Sequence, residues 1–320
     1  MSNSVENTKA AHHEGGNSFH DIRLDLPASY ARPVPAASRS FRRPYPVGKV
    51  RLLWDGLLQK TQLSQFAVGT GLRRAWFEEF HEYWLNCLGG RPLTPVDFHQ
   101  LRFHYRCRSQ ESQVLEWDSG SQHVHNWQAP HHFSGTLNYV YKCAHQPIQL
   151  MKTYPYFKQG GKVLEYGCSL APMYRAYRRY FSHLDMQWHL ADIPNHAFHY
   201  SRYIYSQDLP QPKLHVIADD RMDNPVGAEK DFDLIICCTV FEHLHAPLAM
   251  AKYLIERLSP GGVLVFDYVL SGGEGLDTIA GVEQRQDTLR YLRDNLLIKV
   301  GTLDHIDRGL GLTIGRKKSS

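Results

Sequence analysis

The chain has 320 residues, 36 basic against 32 acidic side chains and 42% apolar content, enough for one large domain or two. A net charge of +4, read as dispersed, excludes the concentrated basic stripe that a nucleic-acid backbone rewards, so no nucleic-acid partner is expected. No run reaches the ~18 apolar residues of a membrane span, and the first residues, with Glu6, His12, His13 and Glu14, lack the apolar stretch of a secretion signal. The expectation is a cytoplasmic chain without a membrane span. Its six cysteines include adjacent Cys237 and Cys238, which face opposite sides of one strand, and all are expected to be reduced.

Residues 1–48 carry Gly15, Gly16, Pro27, Pro33, Pro35, Pro44 and Pro46 among Ser, Asn and Arg, with no apolar period. Such a stretch buries too little to offset its ordering entropy, so it is expected as a disordered tail with Arg39, Arg42 and Arg43 at its basic end. From 49 to 149 the pattern turns helical. Phe66, Leu72, Trp76, Phe80, Tyr83, Trp84 and Leu88 recur at helix-face spacing, which predicts one helix with an aromatic core stripe, stopped by Gly89-Gly90 and Pro92. Pro95 to Cys107 continues with Val96, Phe98, Leu101 and Phe103. Ser109 to Gly135 is polar, with Trp117 and Trp127 as its large apolar groups. His123, His125, His131, His132 and Cys143 match no zinc spacing and are expected as a surface cluster, so no metal is assigned. The region 49–149 is expected to be mostly helical and to cover a substrate.

From 150 to 320, strand and helix patterns alternate. Lys162 to Tyr166, Gln187 to Asp192, Leu214 to Ala218, Asp233 to Thr239 and Val263 to Tyr268 read as strands, with helices between them and a closing hairpin of Leu297 to Leu303 and Leu310 to Ile314 across an Asp304-His305-Asp307-Gly309 turn. This order predicts a doubly wound, mainly parallel seven-stranded α/β sheet, Rossmann-like, with helices on both faces.

Glu165-Tyr166-Gly167-Cys168-Ser169 sits where the first strand meets a helix, at the default ligand crevice of such a sheet. Gly167 allows close backbone approach, and Ser169 and Ala171 are small. Carboxylates close successive strands: Glu165, then Asp192, then Asp219 with Asp220. A dinucleotide pyrophosphate on the first loop would be repelled by Glu165, whereas a cation would be attracted. S-adenosylmethionine, with a cationic amino-acid end, a ribose diol and an adenine, gives each carboxylate a partner.

On these residues the sequence resembles the class I S-adenosylmethionine-dependent methyltransferase family from about Leu150 to Arg316. Val163 to Ser169 is similar to its first motif, Ala191-Asp192-Ile193-Pro194 to its ribose-binding segment, and Val216 to Asp220 to its adenine-contacting loop. Phe232 to Ile236 with Val240 to Leu244, then Leu258 to Leu264, resemble the fourth and fifth motifs. The resemblance implies that Glu165, Gly167 and Ser169 face the methionine end, that Asp192 and Ile193 border the ribose, and that Asp219 or Asp220 meets the adenine. Ser169 and Ala171 depart from the family's glycines. Asp192-Ile193-Pro194 also resembles a segment of some O-methyltransferases, which tilts the expected acceptor toward a hydroxyl of a sugar or other small molecule. Acceptors on nitrogen or carbon, in a small molecule or a protein, and a cofactor-binding module without turnover are the alternatives.

Transfer to a poor nucleophile needs a base. His243, just beyond the fourth strand, is the first candidate and His245 the second, with a packing role under the sheet edge as the competing reading of His243.

Overall fold

A computed structural model describes residues 22, 24–31, 47–108, 124–125, 127–144, 152–270, 277–303 and 310–318. The expected basic tail end at Arg39, Arg42 and Arg43, together with Trp117, His123 and the turn from Asp304 to Gly309, lies outside these residues.

The N-terminal region is helical: α1 (Gly48–Lys60), α2 (Leu63–Gly69), α3 (Ala75–Asn86), α4 (Pro95–Arg108) and α5 (Phe133–Cys143). The stripe expected on a single helix is split between α2 and α3. Gly71, at φ +76°, turns the chain there, and Arg73 reaches back to the Asp55 carboxylate at 2.7 Å and the Ser64 hydroxyl at 3.0 Å. Trp76, Phe80, Tyr83 and Trp84 are buried as expected, but Phe66 and Leu72 are exposed, and so are Val96 and Phe103 on α4. Residues 24–31, within the stretch read as patternless, lie against these helices. The Tyr105 hydroxyl donates to the Asp25 carbonyl at 3.1 Å, the Arg91 Nε–H donates to the Ser29 carbonyl at 2.7 Å, and the Arg91 guanidinium sits 4.8 Å over the Tyr30 ring.

Beyond these helices run β1 (Lys162–Tyr166), α6 (Pro172–Tyr180), β2 (Gln187–Asp192), α7 (His196–Tyr205), β3 (Lys213–Val216), β4 (Phe232–Cys237), α8 (Pro247–Arg257), β5 (Leu258–Tyr268), α9 (Ile279–Glu283), α10 (Arg285–Asn295), β6 (Leu296–Val300) and β7 (Leu310–Lys317). The seven strands form one sheet in the order β3-β2-β1-β4-β5-β7-β6. Neighbours are parallel from β3 through β5, and β7 runs antiparallel between β5 and β6, as the predicted hairpin requires. The period-2 alternation of the strands divides two cores. Val163, Leu234, Ile236 and Val265 pack on α6, α7 and the N-terminal helices, and Leu164, Ile235, Cys237 and Phe266 pack on α8 and α10.

The first core is continuous across the two halves of the chain. Buried Glu79 of α3 is paired with Arg175 of α6 at 2.5 Å and accepts the Tyr200 hydroxyl of α7 at 2.7 Å. The Tyr83 hydroxyl meets Nδ1 of His199 at 2.7 Å. Among the described residues no helix is long and apolar enough to cross a membrane.

Candidate functional site

The strand order reverses beside β1, whose neighbours are β2 and β4, so the connections that leave these strand ends diverge and open a crevice. The loop from Gly167 to Ala171 forms its floor. Gly167 has φ +62°, and a Cβ there would stand 2.3 Å from Cγ2 of Val240, so only glycine admits the segment that follows β4. Ser169 and Ala171 also adopt left-handed backbone, at φ +50° and +47°. These are the two positions where the resemblance implied glycines, and the loop path is kept at a cost of about 1–2 kcal/mol for each side chain.

Neighbouring side chains fix this loop. Asp192, buried at the end of β2, accepts the Ser169 N–H on Oδ2 at 2.6 Å; its Oδ1 accepts the Ile193 N–H at 2.7 Å and the Asn195 side-chain amide at 3.1 Å. Ser201 and Tyr205 of α7 donate their hydroxyls to the carbonyls of Ser169 and Leu170, at 2.7 and 3.0 Å. Glu165 is 3% exposed and accepts the backbone N–H groups of Met173 and Tyr174 at 3.1 and 2.9 Å, which caps the first turn of α6. Burial pushes the Glu165 carboxyl up to about 8, against those two hydrogen bonds, and the Asp192 carboxyl up to about 6. Asp219 and Asp220 stand exposed in a single 3-10 turn beyond β3. Register ties that strand end to β2, where Ile217 N–H donates to the Asp192 carbonyl at 2.9 Å.

The opposite wall begins beyond β4. Thr239, at φ +57°, gives its N–H to the Asp267 carboxylate of β5, and a 3-10 turn, Phe241–His243, follows. Glu242 in that turn is 1% exposed, and neither carboxyl oxygen has a hydrogen-bond partner among the described residues. Burial, with the charges of Asp267 and Asp277 nearby, pushes it up to about 8. His243 is half-buried, its Nε2 3.9 Å from Oε1 of Glu242 and its ring edge-on to Trp127 at 5.7 Å. His245 is also half-buried but lies past the turn, after Leu244 has returned to extended backbone.

Trp127 belongs to the histidine-bearing segment expected on the surface, and here the structure differs. The His132 ring packs on Trp127 at 4.7 Å and on His131 at 4.1 Å. The segment is anchored to the end of β2, since Gln128 donates its side-chain amide to the Pro194 carbonyl at 2.8 Å and its own carbonyl meets Nε2 of His196 at 2.9 Å. Burial lowers His132 to about 3 and His196 to about 4, so both imidazoles are neutral near pH 7. An apolar, uncharged stack of rings therefore extends from this segment to His243, because imidazole and indole faces shed water more readily than a charged cluster would.

The fold thus brings Glu165, Gly167, Ser169, Asp192 and Ile193 into one hydrogen-bonded unit, with His243 adjoining through Val240. Asp219 and Asp220 share the strand-end edge but make none of these contacts. Sequence reasoning missed Asp267 and Trp127 as site residues. For Asp267 a signal existed: it is a lone acid at the end of an apolar strand, and burial of an unpaired acid is costly.

A family profile described as a methyltransferase domain matches residues 139–308, just over half of the chain. No curated protein matches it. Among solved structures, the chain is similar to an S-adenosylmethionine-dependent methyltransferase from Aquifex aeolicus, with 14% identity and TM-score 0.38 over 54% of this chain and 88% of that one. A second such enzyme, from Mesorhizobium loti, shows 15% identity and TM-score 0.38 over 55% of this chain and 100% of that one. Phosphoethanolamine N-methyltransferase 2 of Haemonchus contortus, solved with S-adenosyl-L-methionine, shows 18% identity and TM-score 0.31 over 38% of this chain and 27% of that one.

Proposed function

This chain belongs to the methyltransferase domain family, and from that premise we propose that it moves the methyl group of S-adenosylmethionine to a hydroxyl of a sugar or other small molecule. The observation that carries the reading is the contact between Gly167 and Val240, which sets the β1 loop and the turn bearing Glu242 and His243 against each other across the strand ends.

The residues present suit a cationic cofactor. The cradle at Gly167 is one a Cβ would fill, and Glu165, Asp192 and Glu242, the last accepting no hydrogen bond among the described residues, are buried acids whose ionised forms a positive charge would favour. In this reading the Gly167 to Ser169 backbone and Glu165 border the amino-acid end, Asp192 and Ile193 the ribose, and Asp219 or Asp220 the adenine. When bound, the cofactor supplies a methyl group on a sulfonium that needs no further activation.

The chain's own work is then positioning, which supplies up to ~7–11 kcal/mol of a barrier, and removal of one proton. His243 accepts the acceptor hydroxyl's proton as the new carbon–oxygen bond forms. The stack of Trp127, His131 and His132 excludes water from that face, and the N-terminal helices cover the acceptor. A cytoplasmic setting accords with the free cysteines Cys87, Cys143, Cys168, Cys237 and Cys238.

Calorimetry with S-adenosylhomocysteine, followed by an assay of its release over a panel of hydroxyl, amine and carbon acceptors, tests the proposal. Micromolar binding with turnover on a hydroxyl acceptor is expected. Binding without turnover on any hydroxyl, with turnover on an amine, would move the acceptor class.

A further inference from the structure

The exposed apolar side chains are unevenly spread. Of seventeen large ones among the described residues, eight fall between Val47 and Leu72. Val50, Leu53, Trp54 and Leu57 stand at i, i+3, i+4 and i+7 of α1, which is one face of the helix. Leu63 and Phe66 repeat that spacing on α2, and a groove of about 460 Å³ opens between Val47, Val50, Arg51 and Trp54. Contiguous apolar surface of this kind on a folded chain marks an interaction site.

The net charge, which the sequence as a whole reads as dispersed, is instead concentrated on the same segment. Residues 48–74 carry Lys49, Arg51, Lys60, Arg73 and Arg74 against the single acid Asp55, a net +4 that equals the formal charge of the whole chain, so the remaining residues balance. Asp55 faces inward: it is 1% exposed, engaged by Arg51, Arg73 and Arg179, and accepts the Tyr180 hydroxyl at 2.7 Å. Lys49, Arg51, Lys60 and Arg74 are exposed, and within residues 48–74 no exposed acid accompanies them.

We infer that this face of α1 and α2 docks on an anionic lipid bilayer, with α1 in the headgroup plane and Val50, Leu53, Trp54 and Leu57 turned toward the acyl chains. A 13-residue helix is about 20 Å long and bears charge, so it lies in the interface and does not cross it. Trp54 suits the headgroup boundary, and each nearby lysine or arginine adds attraction to anionic lipid. A second copy and the neighbouring residues 32–46 are both disfavoured by charge. A second copy docked through the same patch would set four positive charges against four. The chain's own residues 32–46 contain Arg32, Arg39, Arg42 and Arg43 and no acid. The inference does not rest on methyl transfer.

Co-sedimentation of the full chain with vesicles of phosphatidylcholine, alone or mixed with phosphatidylglycerol, tests it. Binding to the mixed vesicles is expected, weaker to phosphatidylcholine alone and weaker at high salt. The Leu53→Ser/Trp54→Ser variant should lose at least about tenfold in partitioning, and Lys49→Gln/Lys60→Gln roughly fivefold per charge removed. Both pairs are exposed, so melting temperature and S-adenosylhomocysteine affinity should hold and serve as the check on folding. No binding to the mixed vesicles overturns the inference. Equal binding by the Leu53→Ser/Trp54→Ser variant, or a soluble dimer that this variant dissociates, does so too.

Discussion

Oδ2 of Asp192, at the end of β2, accepts the backbone N–H of Ser169 in the loop after β1 at 2.6 Å. One carboxylate thereby joins two neighbouring strand ends and holds Ser169 in left-handed backbone. The same group is the proposed ribose ligand, so it has a structural and a binding role that substitution can separate. Asp192→Asn keeps an acceptor for the Ser169 N–H but turns an amide NH2 toward the Ile193 and Asn195 donors and loses the charge, so S-adenosylhomocysteine affinity should fall by about 1.5–3 kcal/mol, ten- to a few hundred-fold, with a smaller fall in melting temperature than alanine gives. Asp192→Ala should lower affinity and melting temperature together. Calorimetry and thermal denaturation on both variants check this.

Gly167 and Val240 offer a steric test. Gly167→Ala places a methyl 2.3 Å from Cγ2 of Val240 at φ +62°, and should destabilise the fold by about 1–3 kcal/mol and weaken cofactor binding. Val240→Ala in the same chain removes the opposing methyls, so a double-mutant cycle in urea should recover part of that loss. Additive losses would show that backbone strain alone is responsible.

The parts legible in the sequence are those governed by local pattern. The apolar run from Leu234 to Cys237, buried on both faces, and the strand-end acids at Glu165 and Asp192 needed no tertiary knowledge to locate. What was not legible depended on partners distant in sequence. Glu165 reads as a ligand for a cation, yet it caps α6 through Met173 and Tyr174. The break between α2 and α3 follows from Gly71 and from Arg73 turning inward to Asp55, which periodicity does not register. His132 and Trp127 are polar-segment residues by composition, and only the fold brings them to His243.

Residues 22–31 give a stability prediction. Ile22 is buried, Leu24, Leu26 and Tyr30 pack on the first core, and the Arg91 N–H donates to the Tyr30 carbonyl at 2.8 Å. Deleting residues 1–31 should therefore cost about 1–3 kcal/mol of stability, whereas deleting 1–21, which the sequence marks as patternless, should leave it nearly unchanged. Melting temperatures of the two truncations decide the boundary.

The buried acids fix the sign of a pH effect. Glu165 and Asp192 titrate at about 8 and about 6 in the fold, above their ordinary values of 4.5 and 3.8. The folded chain then holds more protons than the unfolded one in these windows. Their stabilising contribution is fully present below the ordinary values and is lost as pH rises through the folded ones. A cationic cofactor favours the ionised forms, so binding should release protons, and affinity should rise from pH 6 to 8. S-adenosylmethionine, with its extra sulfonium charge, should show a steeper rise than S-adenosylhomocysteine. Calorimetry in buffers of different ionisation heat measures the release, and Glu165→Gln should reduce it.

Glu242 and His243 can be tested as a pair, because burial makes their substitutions read differently. Glu242, with neither oxygen hydrogen-bonded among the described residues and its carboxyl pushed up to about 8, is mainly neutral at pH 7, and Gln copies that neutral form. Glu242→Gln should match the parent's melting temperature only near pH 4, below the ordinary carboxyl value of 4.5. The parent loses stability as pH rises from there to about 8, because the unfolded chain ionises while the buried acid keeps its proton, so the variant should already be the more stable one at pH 7 and the gap should be widest at pH 9. His243→Ala removes the proposed base and should lower turnover by about 10²–10⁴-fold on a hydroxyl acceptor, with S-adenosylhomocysteine affinity held within about threefold and the acid limb of the pH–rate profile gone. If His243 only packs against Trp127, the same variant loses melting temperature and affinity with little change in turnover. His245→Ala, measured beside it, should keep turnover, since His245 lies beyond the 3-10 turn that adjoins the Gly167 loop. A drop confined to His245→Ala would transfer the proton-accepting role to that residue.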